Sequence, residues 1–202
     1  MSDAVMYNIL AYKITGIPKY AADAAWFIDT WFINPDTFMN PNLDFAQIQR
    51  GANGSGNGTH TGVLDLHHIT KLVSAVLILR ATGADAWTPT LDNGLKAWCT
   101  QYVQWLVTSP IALEEKSATN NHGSFYYAQT ASIMVLLGDY SGARDLLGQF
   151  YGGIYLNQIV ASGDQPLESA RTRPYHYRAY NAAAIIVRPS FPSSDQITHP
   201  HA

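Results

Sequence analysis

Apolar residues recur at intervals of three and four along most of this 202-residue chain, whereas strictly alternating runs are scarce. This spacing puts apolar side chains on one face of a helix, so it predicts an all-α fold. The clearest stripe consists of Ile69, Leu72, Val73, Val76 and Leu79. We expect Asp65 to cap the start of that helix and Gly83 to end it, because a short acidic side chain accepts backbone N–H bonds and glycine tolerates a left-handed turn.

The same spacing appears in five further segments, at residues 20–31, 91–106, 125–137, 141–150 and about 175–187. Residues 125–137 are apolar on most sides, which is typical of a fully buried helix. Ser141 is the expected cap of the helix that it opens. A long glycine-containing loop is expected over residues 34–61. Six or seven helices with otherwise short connections favour antiparallel helix pairs.

Composition limits the class of protein. With 47% apolar and 13% charged residues, we expect one domain at residues 1–188 and a loose tail, rich in proline and serine, at residues 189–202. A net charge of −3 without a basic run argues against nucleic acid as a partner. No segment reaches the roughly 18 uncharged apolar residues that cross a membrane. Cys99 is the only cysteine, which excludes an internal disulfide and a thiolate metal cluster.

The N-terminal residues show neither the basic opening nor the long apolar run of a signal peptide. Glycosylation sequons at Asn53 and Asn57 suit a secreted protein. We therefore expect secretion of a full-length form whose leader lies outside this chain.

Two polar motifs carry groups suited to proton transfer beside a carboxylate. Asn120-Asn121-His122-Gly123-Ser124 supplies an amide and an imidazole, and Arg171-Thr172-Arg173-Pro174-Tyr175-His176-Tyr177 supplies a guanidinium and a phenol. Removing a proton from the carbon next to a carboxylate adds a second negative charge to one small system. Arg171 and Asn121 are the expected donors to that carboxylate, since a guanidinium binds it in a bidentate manner and an amide donor is not lost by titration.

A base must take the proton and an acid must protonate the leaving oxygen. His122 is the expected base, since histidine titrates near neutral pH. Tyr177 is the expected acid, and a phenol becomes a base only when a cation such as Arg171 favours its phenolate. Either His122 and Tyr177 divide the roles on opposite faces of the sugar, or Tyr177 does both on one face. Each group also has a structural explanation, as helix cap, core histidine, surface ion pair or packed ring.

These two motifs, together with Gln165-Pro166-Leu167-Glu168-Ser169-Ala170 before the second and Asn40-Pro41-Asn42-Leu43 after an aromatic helix, resemble the alginate lyase family. The resemblance implies an incomplete (α/α) toroid and cleavage of alginate or glucuronan by β-elimination, with no cofactor and no metal in the catalytic step. Family members are usually longer, so this chain resembles the central and later part of a toroid. Bacterial members place the Arg and Tyr seven residues apart; we favour Arg171 with Tyr177, although Arg173 with Tyr180 fits that spacing.

Further substrate-binding residues are expected from the same segments: Asn120, His60, Arg173, His176 and Tyr180. His67 and His68 are adjacent and should point to different helix faces, which is poor geometry for a metal. An acidic polysaccharide is the expected partner. The alternative function is a catalytically inactive glycan-binding or interaction module. Helix flanks left uncovered by the missing part of the toroid would favour a homodimer.

Overall fold

The computed structural model describes residues 1–52, 54 and 56–186, and within these ranges every regular element is helical. The predicted all-α class is therefore confirmed. Two irregular helices accompany the α-helices: a π-turn at Asp29–Ile33 and a 3-10 helix at His60–Leu66. The α-helices are α1 Ser2–Thr15, α2 Pro18–Ile28, α3 Ile69–Thr82, α4 Pro89–Thr108, α5 Pro110–Ser117, α6 Asn121–Leu137, α7 Tyr140–Gly152, α8 Tyr155–Gln158, α9 Pro166–Ser169 and α10 Pro174–Ile186. The predicted tail at residues 189–202, Val187 and the sequon residue Asn53 lie outside the described residues.

Two predicted caps are wrong. Asp65 does not cap α3, because the chain already turns as a 3-10 helix from His60 and His68 precedes the first residue of α3. The Asp65 carboxylate instead accepts a hydrogen bond from Gln47 at 2.8 Å. Ser141 is likewise not the cap of α7, since the side chain of Asp139 accepts the bond from the backbone N–H of Gly142 at 2.9 Å. Gly83 does end α3 in the left-handed conformation, as predicted.

Helix α6 forms the centre of the molecule. Nearly all of its residues are buried, as its apolar sequence predicts, and α3, α4, α5, α7 and α10 pack around it. Its buried polar side chains have partners: the Tyr126 hydroxyl donates to the Leu106 carbonyl at 2.8 Å, and the Gln129 amide donates to the Val63 carbonyl at 3.2 Å. A central helix whose polar groups are satisfied holds its first turn in a fixed position.

Two hydrogen bonds hold the long loop between the π-turn and the 3-10 helix against α4. Trp98 Nε1 donates to the Met39 carbonyl at 2.8 Å, and Trp105 Nε1 donates to Asp44 Oδ1 at 2.7 Å. The loop then delivers His60, the first residue of the 3-10 helix, which packs against α5.

The continuous stretch His60–Thr82 is long and apolar enough to span a membrane by length and composition alone. Half of its most apolar window is buried inside the protein. Its buried residues belong to the core, and a core helix passes the same test as a membrane span, so the stretch is weak evidence for membrane insertion.

Candidate active site

The Asn-Asn-His-Gly motif forms the first turn of α6. The Asn120 side chain caps the helix by accepting the backbone N–H of His122 at 3.2 Å. Gly123 is required by the preceding chain, since a Cβ there would lie 2.1 Å from the Ala118 carbonyl oxygen. The cap and the close approach together fix the direction in which His122 leaves the helix.

A buried carboxylate joins two imidazoles at this helix end. His122 Nδ1 lies 2.7 Å from Glu115 Oε1, and His60 Nδ1 lies 2.6 Å from Glu115 Oε2. The Glu115 side chain is fully buried at the end of α5. Because a carboxylate only accepts hydrogen bonds, each Nδ1 carries a hydrogen, and Nε2 is left as the second nitrogen of each ring. Glu115 therefore sets both the tautomer and the orientation of the two rings.

The two imidazoles border a pocket of about 300 Å³. It is lined by His60, Ala118, Thr119, Asn120, His122 and Leu167. His122 is 15% and His60 35% exposed at the side chain, so both are accessible from this pocket. His60 thus meets Asn120 and His122 of the Asn-Asn-His-Gly motif in one pocket, although about 60 residues separate them in the sequence.

Asn121 is placed differently from what the sequence suggests. Its side chain is buried, and Nδ2 lies 2.8 Å from both carboxylate oxygens of Glu168 in α9. Its backbone N–H donates to the same carboxylate at 2.7 Å. The amide expected to bind a substrate carboxylate therefore binds a carboxylate of the protein, which attaches α9 to the first turn of α6.

Buried side-chain amides form hydrogen bonds next to the contact between α6 and α9. The Gln158 amide accepts the Ser124 hydroxyl at 2.9 Å and donates to the Asn120 carbonyl at 3.0 Å. Asn181 of α10 donates to Gln165 Oε1 at 2.9 Å. These bonds connect the first turn of α6 to α8, and α10 to Gln165 before α9, although the buried Oδ1 of Asn181 has no hydrogen-bond partner within the described residues.

Arg171 and Tyr177 contact each other. The Arg171 guanidinium carbon lies 4.0 Å from the Tyr177 ring centroid, which is a cation–π contact. Within the described residues neither side chain forms a hydrogen bond or ring contact with His122, and the Arg171 side chain forms no hydrogen bond or ion pair. The pair follows α9, whose Leu167 lines the His122 pocket. Arg173 and His176 are exposed to solvent beside it.

Tyr180 lines a second, more apolar pocket of about 140 Å³ between α3, α6 and α10. Its ring stacks on His176 at 5.9 Å and packs on Phe125 at 4.3 Å, and its hydroxyl lies 3.4 Å from His67 Nε2. Burial, with a smaller contribution from the Glu115 charge, raises the pKa of Tyr180. Burial lowers the pKa of His67, which favours the neutral ring. Tyr180 is not among the residues that line the His60–His122 pocket.

His67 and His68 do not point to different helix faces. They lie in the turn before α3, their ring centroids are 3.9 Å apart, and both line the second pocket. The expectation assumed a regular helix, which the 3-10 segment displaces.

His60, Glu115 and His122 each place one ligand atom within 4.8 Å of the others, so these residues could hold a metal ion. Imidazole and carboxylate donors suit zinc and similar divalent ions. The direct 2.6 and 2.7 Å contacts, however, are accounted for by N–H donors to a shared carboxylate without any ion. Glu115 and Glu168 are site residues that the sequence did not lead us to predict. The only sequence signal for Glu115 was its place in a Glu114-Glu115 pair shortly before the Asn-Asn-His-Gly motif.

Comparisons with known proteins bear on the family and the fold. The profile described as alginate lyase matches residues 1–191. A crystal structure of an alginate lyase from Bacteroides ovatus superimposes with a TM-score of 0.87 at 36% sequence identity, over 93% of this chain and 48% of that chain. The chain thus spans about half the length of this relative. A search of curated proteins found no match.

Proposed function

Because the chain belongs to the alginate lyase family, whose toroid-type helical fold it shares, we propose that it cleaves a uronic-acid polysaccharide by β-elimination. The observation that carries this proposal is the His122 ring, held at Nδ1 by the buried Glu115 carboxylate and exposed to a polar pocket. An imidazole fixed in this way presents a basic Nε2 to a ligand, as a general base requires.

In the proposed reaction, His122 Nε2 removes the proton from C5 of a uronate residue. The electrons of that C–H bond form the C4=C5 double bond, and the C4–O4 bond breaks. Tyr177 gives its hydroxyl proton to O4, which leaves as the hydroxyl of the departing sugar. The guanidinium of Arg171 over the Tyr177 ring stabilises the phenolate that remains.

Charge on the substrate must be neutralised as the C5 proton leaves. Arg171 is our candidate, since within the described residues its guanidinium packs on the Tyr177 ring without a hydrogen bond or ion pair, which leaves its N–H donors for a ligand. Preorganised donors of this kind are typically worth about 3–4 kcal/mol in the transition state. For Asn121 the contacts with Glu168 support a positioning role, holding α9 and the adjoining Arg171 segment beside the pocket.

The polymer is proposed to extend from this pocket over α10. Arg173 and His176 are exposed there, and Tyr180 lies beside His176. An Arg and aromatic rings suit an acidic pyranose chain, because they combine charge with flat apolar faces. The expected homodimer and secretion remain predictions.

The direct test is ultraviolet absorbance of the unsaturated uronate during incubation with polymannuronate, polyguluronate and polyglucuronate in turn. We expect product from at least one polymer. His122→Gln and Tyr177→Phe should each lower kcat by about 10²–10⁴-fold. The matched control is Lys13→Gln, an exposed charge removal on α1, which should keep wild-type activity. No unsaturated product from any polymer at high protein concentration would refute the lyase proposal and favour a glycan-binding module.

A further inference from the structure

Phe45 is an exposed aromatic residue in the long loop that precedes the 3-10 helix. It is 64% exposed, and it does not belong to the apolar core. A phenyl ring stabilises a fold through the apolar area that it removes from water, and an exposed ring removes little. Packing within the protein therefore does not explain why a large apolar side chain occupies this position.

The backbone around Phe45 is bonded to the segment that leads directly into the 3-10 helix. The carbonyl of Asp44 accepts the N–H of Gly58 at 2.6 Å, and the carbonyl of Ala46 accepts the N–H of Thr59 at 3.1 Å. Phe45 lies between these two acceptors in the sequence. The bonds therefore put Phe45 next to the start of the 3-10 helix, whose first residue lines the candidate active-site pocket.

This part of the loop is held in one conformation. Trp105 Nε1 donates to Asp44 at 2.7 Å, and the Gln47 amide donates to Asp65 at 2.8 Å. Gln47 has a φ of 50°, in the left-handed region that residues with a side chain rarely adopt. Such a conformation persists only where the surrounding contacts enforce it, and it is frequent at ligand-binding positions. Phe45 is thus presented to solvent from a fixed backbone.

Two separate segments border the His60–His122 pocket. Leu167 of α9 forms one border, and the chain after α9 carries Arg171 and continues into α10. His60 of the 3-10 helix forms another border. A polymer that lies over α10 and enters the pocket beside Leu167 can therefore continue past His60 toward Phe45.

We propose that Phe45 is a substrate-binding residue that stacks on a sugar of the polyuronate next to the sugar bound in the His60–His122 pocket. The C–H groups of a pyranose form a flat apolar face that suits an aromatic ring, while the carboxylate projects from the ring edge into solvent. This assignment rests on the proposed lyase function. It adds a binding position beside the 3-10 helix to those proposed over α10.

Steady-state kinetics on the best polyuronate tests this role. Phe45→Ala should raise KM by about 3–10-fold and leave kcat unchanged, because a stacked ring contributes to binding but not to proton transfer. Phe45→Tyr keeps the flat ring and should keep the wild-type KM, whereas Phe45→Leu lacks it and should resemble Phe45→Ala. The matched control is Tyr7→Ala, which removes a 68% exposed aromatic ring from α1 and should change neither constant.

Three kinetic outcomes would overturn the proposal. An unchanged KM in Phe45→Ala would show that the ring does not bind the polymer, and an equal rise in Phe45→Tyr would show that the flat face is not what binds. A raised KM together with a lower urea midpoint would show that the ring serves the loop instead. If Phe45→Ala converted a dimer into a monomer in sedimentation velocity without changing KM, a second copy of the chain would be the occupant.

Failure of the lyase function is distinguishable from failure of this assignment. If the wild-type protein forms no unsaturated product from any polymer, titration calorimetry with the same three polymers tests Phe45 by itself. Binding that weakens by about 3–10-fold in Phe45→Ala would support the stacking role in a glycan-binding protein. Binding that is absent, or equal in the two proteins, would overturn it.

Discussion

At the scale of single residues, Glu115 is the side chain on which both imidazoles depend. In Glu115→Gln, the amide offers one acceptor oxygen and one NH₂ donor group, so only one of the two Nδ1–H donors keeps its acceptor. We expect kcat to fall by about 10²-fold or more while KM changes little, because the base loses its orientation and tautomer but the sugar-binding surface remains. Steady-state kinetics on the best polyuronate measures both constants.

The control for this substitution is Asp145→Asn, which removes an exposed carboxylate from α7. It should leave both constants at wild-type values. An unchanged kcat in Glu115→Gln would show that the rings are oriented without this carboxylate.

Gly123 gives a second prediction at this scale. In Gly123→Ala, the new methyl group would lie 2.1 Å from the Ala118 carbonyl oxygen and 2.6 Å from Ile154 Cδ1. We expect a loss of about 1–3 kcal/mol in the free energy of unfolding, since backbone must move to make room. In Gly148→Ala, no atom lies within 4 Å of the added Cβ, and the helix interior should gain about 0.5–1 kcal/mol. Urea denaturation distinguishes the two signs, and equal effects would contradict the close approach at Gly123.

Residue roles were predictable where the chemistry is carried by the side chain itself. His60, Asn120 and His122 could be singled out because imidazoles and amides near a helix start suggest a site. Glu115 and Glu168 could not, since Glu115 joins His122 to His60, which is 55 residues away in the sequence, and Glu168 contacts Asn121, which is 47 residues away. The same dependence on distant partners explains why the contact of Asn121 with Glu168 was not predicted from the sequence.

At the scale of elements, the Arg80 side chain connects three helices through one ion pair and one hydrogen bond. Arg80 of α3 donates from Nε to Asp92 of α4 at 2.6 Å and from Nη1 to the Leu136 carbonyl of α6 at 3.0 Å. Burial alone would raise the pKa of Asp92, but hydrogen bonds from Lys96, Arg80 and Trp87 outweigh burial and lower it. The ionised carboxylate therefore stabilises the folded state.

We expect Asp92→Asn to lower the free energy of unfolding by about 2 kcal/mol at neutral pH. A carboxyl with a lowered folded-state pKa contributes its stability above its unfolded pKa of about 3.9 and loses it as the pH falls through the folded value. The difference between wild type and Asp92→Asn should therefore shrink below about pH 4. Urea titrations at several pH values measure this difference, and a gap that stays constant down to low pH would contradict it.

The helices were predictable where one face is apolar and the other polar. Helix α1 was not predicted because its apolar residues do not lie on one face. Val5 and Ile9 are buried, whereas Tyr7, Leu10 and Ile14 are exposed. The caps of α3 and α7 were wrong for a related reason. Asp65 lies within the 3-10 helix and binds Gln47, and α3 begins without a side-chain cap; at α7 the neighbouring Asp139 accepts the bond expected for Ser141.

At the scale of the whole molecule, the chain matches about half of its longer relative and still builds a continuous core. Buried residues from α1 to α7 and α10 belong to one apolar cluster. A domain with one cluster has no internal boundary at which part of it could unfold first. The described part of the chain should therefore behave as one cooperative unit.

We expect far-ultraviolet circular dichroism and tryptophan fluorescence to report the same urea midpoint. Trp87 and Trp98 are 9% and 3% exposed, and Trp98 packs on Phe32 at a centroid distance of 4.6 Å. The five tryptophans together follow α2, the π-turn and α4, where Trp26, Trp31, Trp98 and Trp105 lie, and the turn before α4 that holds Trp87. Circular dichroism follows all the helices. If α1, which contains no tryptophan, were only loosely attached, the helical signal would begin to fall before the fluorescence changed. Non-coincident transitions would show that the core has two parts, whereas coincident ones would show that this half-length chain holds its candidate site in a single folded unit.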